Sequence, residues 1–170
     1  FDRRANIEEV VAWDLAWAAA AAFEAGETAF LDAINTGIET SLEFNTIDGG
    51  RTFDLVGLSG AVWAGARTGA ALDPQTGLFA DADSTLDLAL ELVTFQDADT
   101  GGFFFNTTLA MMPEDPFALD TQVTAFALLG LDLLDRDAFD AEIQAAGGFL
   151  VDQQQPSGQI LLFPGADPQG

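Results

Sequence analysis

The sequence predicts an all-α protein made of three αα-hairpins, and three observations support this prediction. Six helical stretches separated by turn signals follow one another along the 170 residues. The turns after the second, fourth and sixth stretches share a glycine. If Gly49, Gly101 and Gly158 are equivalent, they lie 52 residues (49 to 101) and 57 residues (101 to 158) apart, a spacing typical of two-helix repeats. Almost nothing alternates with the period of a strand, and only residues 103–105 resemble a short extended piece.

The first hairpin is expected at residues 6–50. Asn6 followed by Glu9 has the spacing of a capping box ahead of an alanine-rich apolar run. Gly26 ends that helix, because glycine readily adopts the left-handed conformation that closes helices. A second helix is predicted for residues 27–44.

The second hairpin is expected at residues 51–105. Its first helix covers about residues 52–67 and ends at Gly69. Its second helix is short and begins at Ser84, a residue type that accepts hydrogen bonds from the backbone N–H groups of a first helical turn. Asp87 in that turn strengthens the prediction.

The third hairpin is expected at residues 115–163. Asp115 and Pro116 supply an N-cap and a proline at the first helical position, so the fifth helix is predicted to begin there. Asp137 with Asp140 predicts the start of the sixth helix.

The odd-numbered helices differ from the even-numbered ones in composition. They are small and apolar on nearly every side, as residues 56–64 illustrate. Such helices are buried, whereas the even-numbered helices carry more polar residues. We therefore expect each hairpin to pair an inner, buried helix with an outer, more polar one.

Two segments resemble a known family. Residues 149–153, followed by Gly158, resemble the glutamine–glycine–aromatic repeat of squalene and terpene cyclases, with Phe103 and Ile160 where that repeat has tryptophan. Residues 120–129 resemble the inner helix of those cyclases and of prenyltransferase β subunits.

The resemblance implies an α/α toroid, a ring that contains more than three hairpins when complete. Three hairpins would form part of an α/α toroid or an open arc. We therefore expect the chain to be a fragment of a longer one. The uncovered ends would be completed by self-association or by the missing part of its own chain.

Charge is the most unusual property of the chain. The chain has twenty-eight Asp and Glu residues and five arginines. It has no Lys, His, Cys or Tyr, and its formal net charge is −23. The acids are mixed with 49% hydrophobic residues, which favours a folded domain over an acidic tail. Molar salt screens such self-repulsion, because the Debye length falls to about 3 Å. The composition predicts a salt-adapted organism; a calcium-dependent surface protein is the alternative.

The same composition limits the partners. Nucleic acid and anionic membranes need a basic face that five scattered arginines do not build. No run of about twenty apolar residues is present, so no membrane span is predicted. We expect an extracellular or cell-surface protein.

Residue types also limit the chemistry. Without His or Cys there is no Ser–His–Asp triad and no ordinary zinc site, so the zinc centre of prenyltransferases is not carried over. Without Lys there is no Schiff base. The resemblance to cyclases implies an Asp-x-Asp-Asp acid, but the nearest matches, residues 97–100 and 81–84, lack the final aspartate. We interpret both as turn or cap residues.

Asp14 and Asp120 remain as candidate catalytic acids. Asp14 lies between Trp13 and Trp17 in the first helix, and aromatic rings beside an acid suit the stacking of a sugar. The alternative is an acid at the rim of the helix, with the tryptophans in the core. For Asp120 the alternative is a cap of the fifth helix.

Two further sites are suggested by local patterns. Asp97 with Asp99 and Asp81 with Asp83 have the one–three spacing of calcium loops, although the bidentate glutamate of such loops is missing. Calcium is the one cofactor considered, and metal-free acidic turns are the alternative. Asn106 opens an Asn-Thr-Thr acceptor for N-glycosylation, in agreement with a secreted chain.

No complete catalytic motif is present, so the sequence favours a non-catalytic structural or binding module of a secreted or cell-surface protein. The alternative is a fragment of a toroid enzyme, either terpene cyclase-like or polysaccharide-active, that uses carboxylate acid–base chemistry. Carbohydrate is a candidate partner under both hypotheses.

Overall fold

The computed structural model describes residues 12–44, 46–47 and 52–164, and within these ranges the protein is mainly helical. The six helices are α1 Ala12–Glu24, α2 Thr28–Phe44, α3 Leu55–Thr68, α4 Thr85–Val93, α5 Thr121–Asp135 and α6 Asp140–Asp152. Between them lie the strands β1 Thr46–Ile47, β2 Thr52–Phe53, β3 Phe103–Phe104 and β4 Leu119–Asp120, and a 3-10 helix at Leu109–Met111. The predicted helical class and the extended piece near residue 103 are confirmed. None of the described helices is long and apolar enough to span a membrane.

The odd-numbered helices pack against one another. α3 contacts α1 and α5, and each even-numbered helix packs on the odd-numbered helix before it. Ten of the fourteen residues of α3 are buried, whereas among residues 28–43 of α2 the buried ones are Ile38, Ser41 and Leu42. The predicted difference between inner and outer helices is therefore seen most clearly between α3 and α2.

Glycines set the distance between the inner helices. A Cβ atom at Gly60 of α3 would lie 3.2 Å from the Cα of Trp13 on α1. A Cβ atom at Gly130 of α5 would lie 3.0 Å from the backbone N of Trp63 on α3. These distances are shorter than ordinary contacts of a Cβ atom. Glycine therefore allows the close approach of α1 to α3 and of α3 to α5.

Several helix ends follow the sequence signals. Gly26 and Gly69 have φ angles of 71° and 73° and lie just after α1 and α3. Ser84 Oγ accepts a backbone hydrogen bond in the first turn of α4. The predicted cap Asn6 and the first repeat glycine, Gly49, lie outside the described residues.

Two predicted helix starts are wrong because short strands occupy those residues. α3 begins at Leu55 rather than near residue 52, since residues 52–53 pair with β1. α5 begins at Thr121 rather than at Pro116, since residues 119–120 pair with β3. The proline signal at residue 116 belongs to a single turn, in which Ala118 N donates to Asp115 O at 2.9 Å.

The predicted cap of α6 is also wrong. α6 begins at Asp140 after Phe139, which makes no side-chain capping bond. In the turn before α6, Asp135 Oδ1 accepts a hydrogen bond from Ala138 N at 3.1 Å. Asp137 therefore does not start the helix.

Short strands tie the beginnings of α3 and α5 together. Phe103 in β3 pairs with Asp120 in β4, and Asn106, three residues further along, bridges to Asp54. Asp54 and Asp120 are the N-caps of α3 and α5. Residues 103–106 consequently connect the starts of two inner helices.

The turns after α4 and α6 are related but differ in length by one residue, since the bridged residues are 96 and 103 in the first and 154 and 160 in the second. The bridges are Gln96–Phe103 and Gln154–Ile160, and the turn hydrogen bonds, both 2.8 Å, run from Gly101 N to Asp97 O and from Gly158 N to Gln155 O. Both turns therefore contain a glycine with a positive φ angle and an antiparallel bridge, but the glycine N–H bonds to the carbonyl four residues back in the first turn and three residues back in the second.

Candidate functional site

The inner helices bring four aromatic rings together, Trp13 and Trp17 from α1, Trp63 from α3 and Phe126 from α5, and we call these residues the aromatic cluster. The contacting ring centroids lie 4.0 to 5.9 Å apart, and the rings meet edge to face. All three tryptophans of the chain belong to the cluster. Because the rings come from three helices, the cluster forms only when those helices pack.

Trp17 is the most accessible ring of the aromatic cluster. Its side chain is 50% exposed, whereas Trp13, Trp63 and Phe126 are partly buried. Ala21, one turn further along α1, is exposed and carries only a methyl group, so it shields the indole little. The hypothesis that both tryptophans of α1 lie in the core is therefore wrong for Trp17.

Asp14 lies beside this exposed ring. It is exposed on α1, three residues before Trp17, and residues three apart are neighbours on a helix surface. A carboxylate and an accessible indole therefore share one face of α1. A catalytic role for Asp14 stays a prediction.

Asp120, the other candidate acid, is a helix cap. Its Oδ1 accepts a hydrogen bond from Val123 N at 2.7 Å, and the residue is only 2% exposed. Asp54 plays the same part for α3, accepting from Val56 N at 2.9 Å. Sequence analysis did not select Asp54, although the signal was that of Asp120, an aspartate directly ahead of an apolar helix.

Burial raises the pKa of both capping carboxyls. For Asp54, loss of water is the main cause, and the hydrogen bond from Val56 N opposes it. The charge of Asp120 also raises the pKa, which reaches about 6 instead of 3.8. Burial also raises the pKa of Asp120, and hydrogen bonds from the backbone of Val123 and Gln122 partly oppose that rise. The two carboxyls therefore interact electrostatically at the joint between α3 and α5.

Of the four aspartates considered for calcium, Asp97 makes side-chain hydrogen bonds within its own turn. Asp97 Oδ1 accepts hydrogen bonds from Thr100 N at 2.9 Å and from Thr100 Oγ1 at 2.7 Å. Asp99, Asp81 and Asp83 are exposed. In the ranges that the structure describes, no three acidic side chains are grouped as metal ligands. The turns therefore do not bring a third carboxylate to either aspartate pair.

Asn106, the glycosylation candidate, is built into a turn. The residue is partly buried, and its Oδ1 accepts a hydrogen bond from Leu109 N at 2.8 Å. The backbone of Asn106 also bridges to Asp54. Glycosylation at this residue stays a prediction.

The turn after α6 is more open than its counterpart after α4. Phe103 is fully buried, whereas Ile160, which makes the same bridge in the second turn, is 54% exposed. The first turn is covered by α6, because Gln96 Nε2 donates to Glu142 O at 3.0 Å. We call the exposed apolar residues at the second turn the end face: Val151, Ile160 and Leu162.

No protein family, curated protein or solved structure matches the chain.

Proposed function

We propose that the protein is a non-catalytic structural and binding module of stacked α-hairpins, an arc of an α/α toroid, in a secreted or cell-surface protein of a salt-adapted organism. The observation that supports the proposal is the contrast between two corresponding turns. The turn after α4 is covered by the next hairpin, and the turn after α6 is open.

The turn after α4 shows how one hairpin packs on the next. A Cβ atom at Gly102 would lie 2.6 Å from the ring of Phe149 on α6, so this ring packs directly on the turn. Phe103 is fully buried, and its backbone N–H donates to Thr124 Oγ1 on α5 at 2.9 Å. A further hairpin placed on the end face would bury Ile160 in the corresponding way. Burying each such side chain contributes about 1.5–3 kcal/mol.

In a solution of this chain alone, the further hairpin comes from a second copy. Light scattering after size exclusion in molar NaCl tests the proposal. We expect self-association that increases with protein concentration and that Ile160→Glu abolishes. Leu90→Glu is the control, because Leu90 is equally apolar and 51% exposed, but lies on α4 outside the end face. A monomer at every concentration, or equal disruption by both variants, would contradict the proposal.

The distribution of charge supports the salt-adapted setting. The structure describes two arginines: Arg67 pairs with Glu24, and Arg136 with Asp132 at 2.5 Å. No further Arg or Lys in the described ranges can neutralise the remaining carboxylates. Screening by salt is then the main way to reduce their repulsion.

Acid catalysis is the second candidate function. The observation that favours it is the pKa of about 6 at Asp54, because a general acid works best when its pKa is near the ambient pH. Both carboxyls of the pair already serve as helix caps. The protein would have to cyclise a polyene or cleave a neutral polysaccharide. Loss of that activity in both Asp54→Asn and Asp120→Asn would support catalysis. Full activity in either variant would exclude a role for that residue as the acid.

A further inference from the structure

We propose that the aromatic cluster and Asp14 form a binding site for neutral hexopyranose units of a carbohydrate. Trp17 is the stacking platform, and Asp14 accepts hydrogen bonds from sugar hydroxyls. The inference goes beyond hairpin stacking and uses a different surface, the face of α1 rather than the end face.

The indole of Trp17 has the properties of a stacking platform. Its side chain is half exposed, and its ring contacts Trp13, Trp63 and Phe126 at centroid distances of 5.7, 4.9 and 5.9 Å. These contacts hold the ring from three helices, so little side-chain freedom is lost when a ligand stacks on it. The indole also combines a large apolar surface with a polar N–H.

Asp14 supplies the polar half of the site. Its carboxylate is exposed one turn from Trp17, and an ionised carboxylate has about four acceptor positions. Hydrogen bonds to an ionised acceptor are stronger than those between neutral groups. A hexopyranose has an apolar C–H face and hydroxyls around its edge, so a ring and an acceptor side by side match it.

Other ligand classes match this site less well. An isoprenoid chain requires an enclosed apolar pocket, whereas Trp17 is half exposed next to an acid. Anionic polymers are repelled by a net charge of −23. A quaternary ammonium ion would need space between the rings, and these rings touch one another.

Calorimetric titration of the chain in molar NaCl, with cellohexaose and N-acetylchitohexaose as probes, tests the inference. We expect saturable binding of at least one probe. Trp17→Ala should weaken it about tenfold or more, and Trp17→Phe should retain part of it. Asp14→Asn should weaken binding about three- to tenfold, since one neutral oxygen replaces the carboxylate. Phe30→Ala is the control, because Phe30 is 65% exposed on α2, outside the cluster.

The outcomes separate this inference from the proposed stacking function. Absence of saturable binding to both probes, or unchanged affinity in Trp17→Ala, overturns the carbohydrate site. Circular dichroism of Trp17→Ala and Asp14→Asn checks the fold. Self-association without sugar binding would leave stacking intact. Sugar binding by a strictly monomeric chain would leave this site intact and overturn stacking.

Discussion

Gly101 and Gly158 both have positive φ angles in corresponding turns, but their surroundings differ. Their φ angles are 80° and 86°, in the left-handed region. A Cβ atom at Gly101 would overlap the carbonyl oxygen of Ala145 on α6, whereas one at Gly158 would have no neighbour within 4 Å among the surroundings that the structure describes. Both positions favour glycine for its left-handed conformation, but another hairpin covers Gly101 and none covers Gly158 among the described residues.

This difference predicts unequal effects of alanine at the two turns. Gly158→Ala should cost about 1–2 kcal/mol, the cost of a left-handed alanine. Gly101→Ala should cost about 1–3 kcal/mol more, because its methyl group also displaces α6. Urea unfolding at constant molar salt measures both values. Equal losses would show that α6 does not pack on the first turn as described.

Glycine in the inner helices should show a similar contrast. Gly130→Ala places a methyl group 3.0 Å from the backbone of Trp63 and should destabilise by about 1–3 kcal/mol. Gly148→Ala, in α6 with open space around it, should stabilise by about 0.5–1 kcal/mol through lower unfolded-state entropy. The same urea unfolding experiment compares them. Stabilisation by Gly130→Ala would contradict the close packing of α3 and α5.

Asp54→Asn should change how stability depends on pH. The folded-state pKa of about 6 exceeds the ordinary 3.8, so the folded protein binds this proton more tightly. Asp54 therefore contributes stability below about pH 4 that is lost as the pH rises through about 6. Asparagine keeps an oxygen for Val56 N and cannot ionise. The variant should be more stable than the parent by about 2–3 kcal/mol at pH 8, with little difference at pH 3.5.

Asp135→Asn is the matched control for Asp54→Asn. Asp135 also caps a turn, through Ala138 N, but is exposed, so its replacement removes one negative charge without removing a buried one. The comparison requires the melting temperatures of the parent and of both variants, measured across pH 3.5–8. An equal gain from both variants would assign the effect to net charge.

Salt should stabilise the protein strongly. With −23 charges on 170 residues, raising NaCl from about 0.1 to 1 M shortens the Debye length from about 10 to 3 Å. We expect the melting temperature to rise by about 10 °C or more, since each kcal/mol corresponds to about 2–4 °C in a domain of this size. Equal osmolarities of sucrose separate screening from solute exclusion. A melting temperature that stays constant with salt would contradict salt adaptation.

The elements most accessible to sequence analysis were those specified by neighbouring residues. Gly26, Gly69 and Ser84 end or begin helices as predicted, because each acts within one turn of its own helix. The start of α5 at Thr121 was missed because pairing of residues 119–120 with β3 overrides the local proline signal. The cap signal of Asp54 was local, but its raised pKa depends mainly on burial, which the packing of distant residues produces.

The sequence by itself determined the helical class, the order of the six helices, the excess of acid and the absence of His, Lys and Cys chemistry. These properties depend on composition and on contacts within a few residues. Only the tertiary structure decided that Trp13, Trp17, Trp63 and Phe126 meet, that Asp54 and Asp120 interact, and that the turn of Gly101 is covered while that of Gly158 is open. Those relationships join residues far apart in the chain, and they exist only once the inner helices have packed.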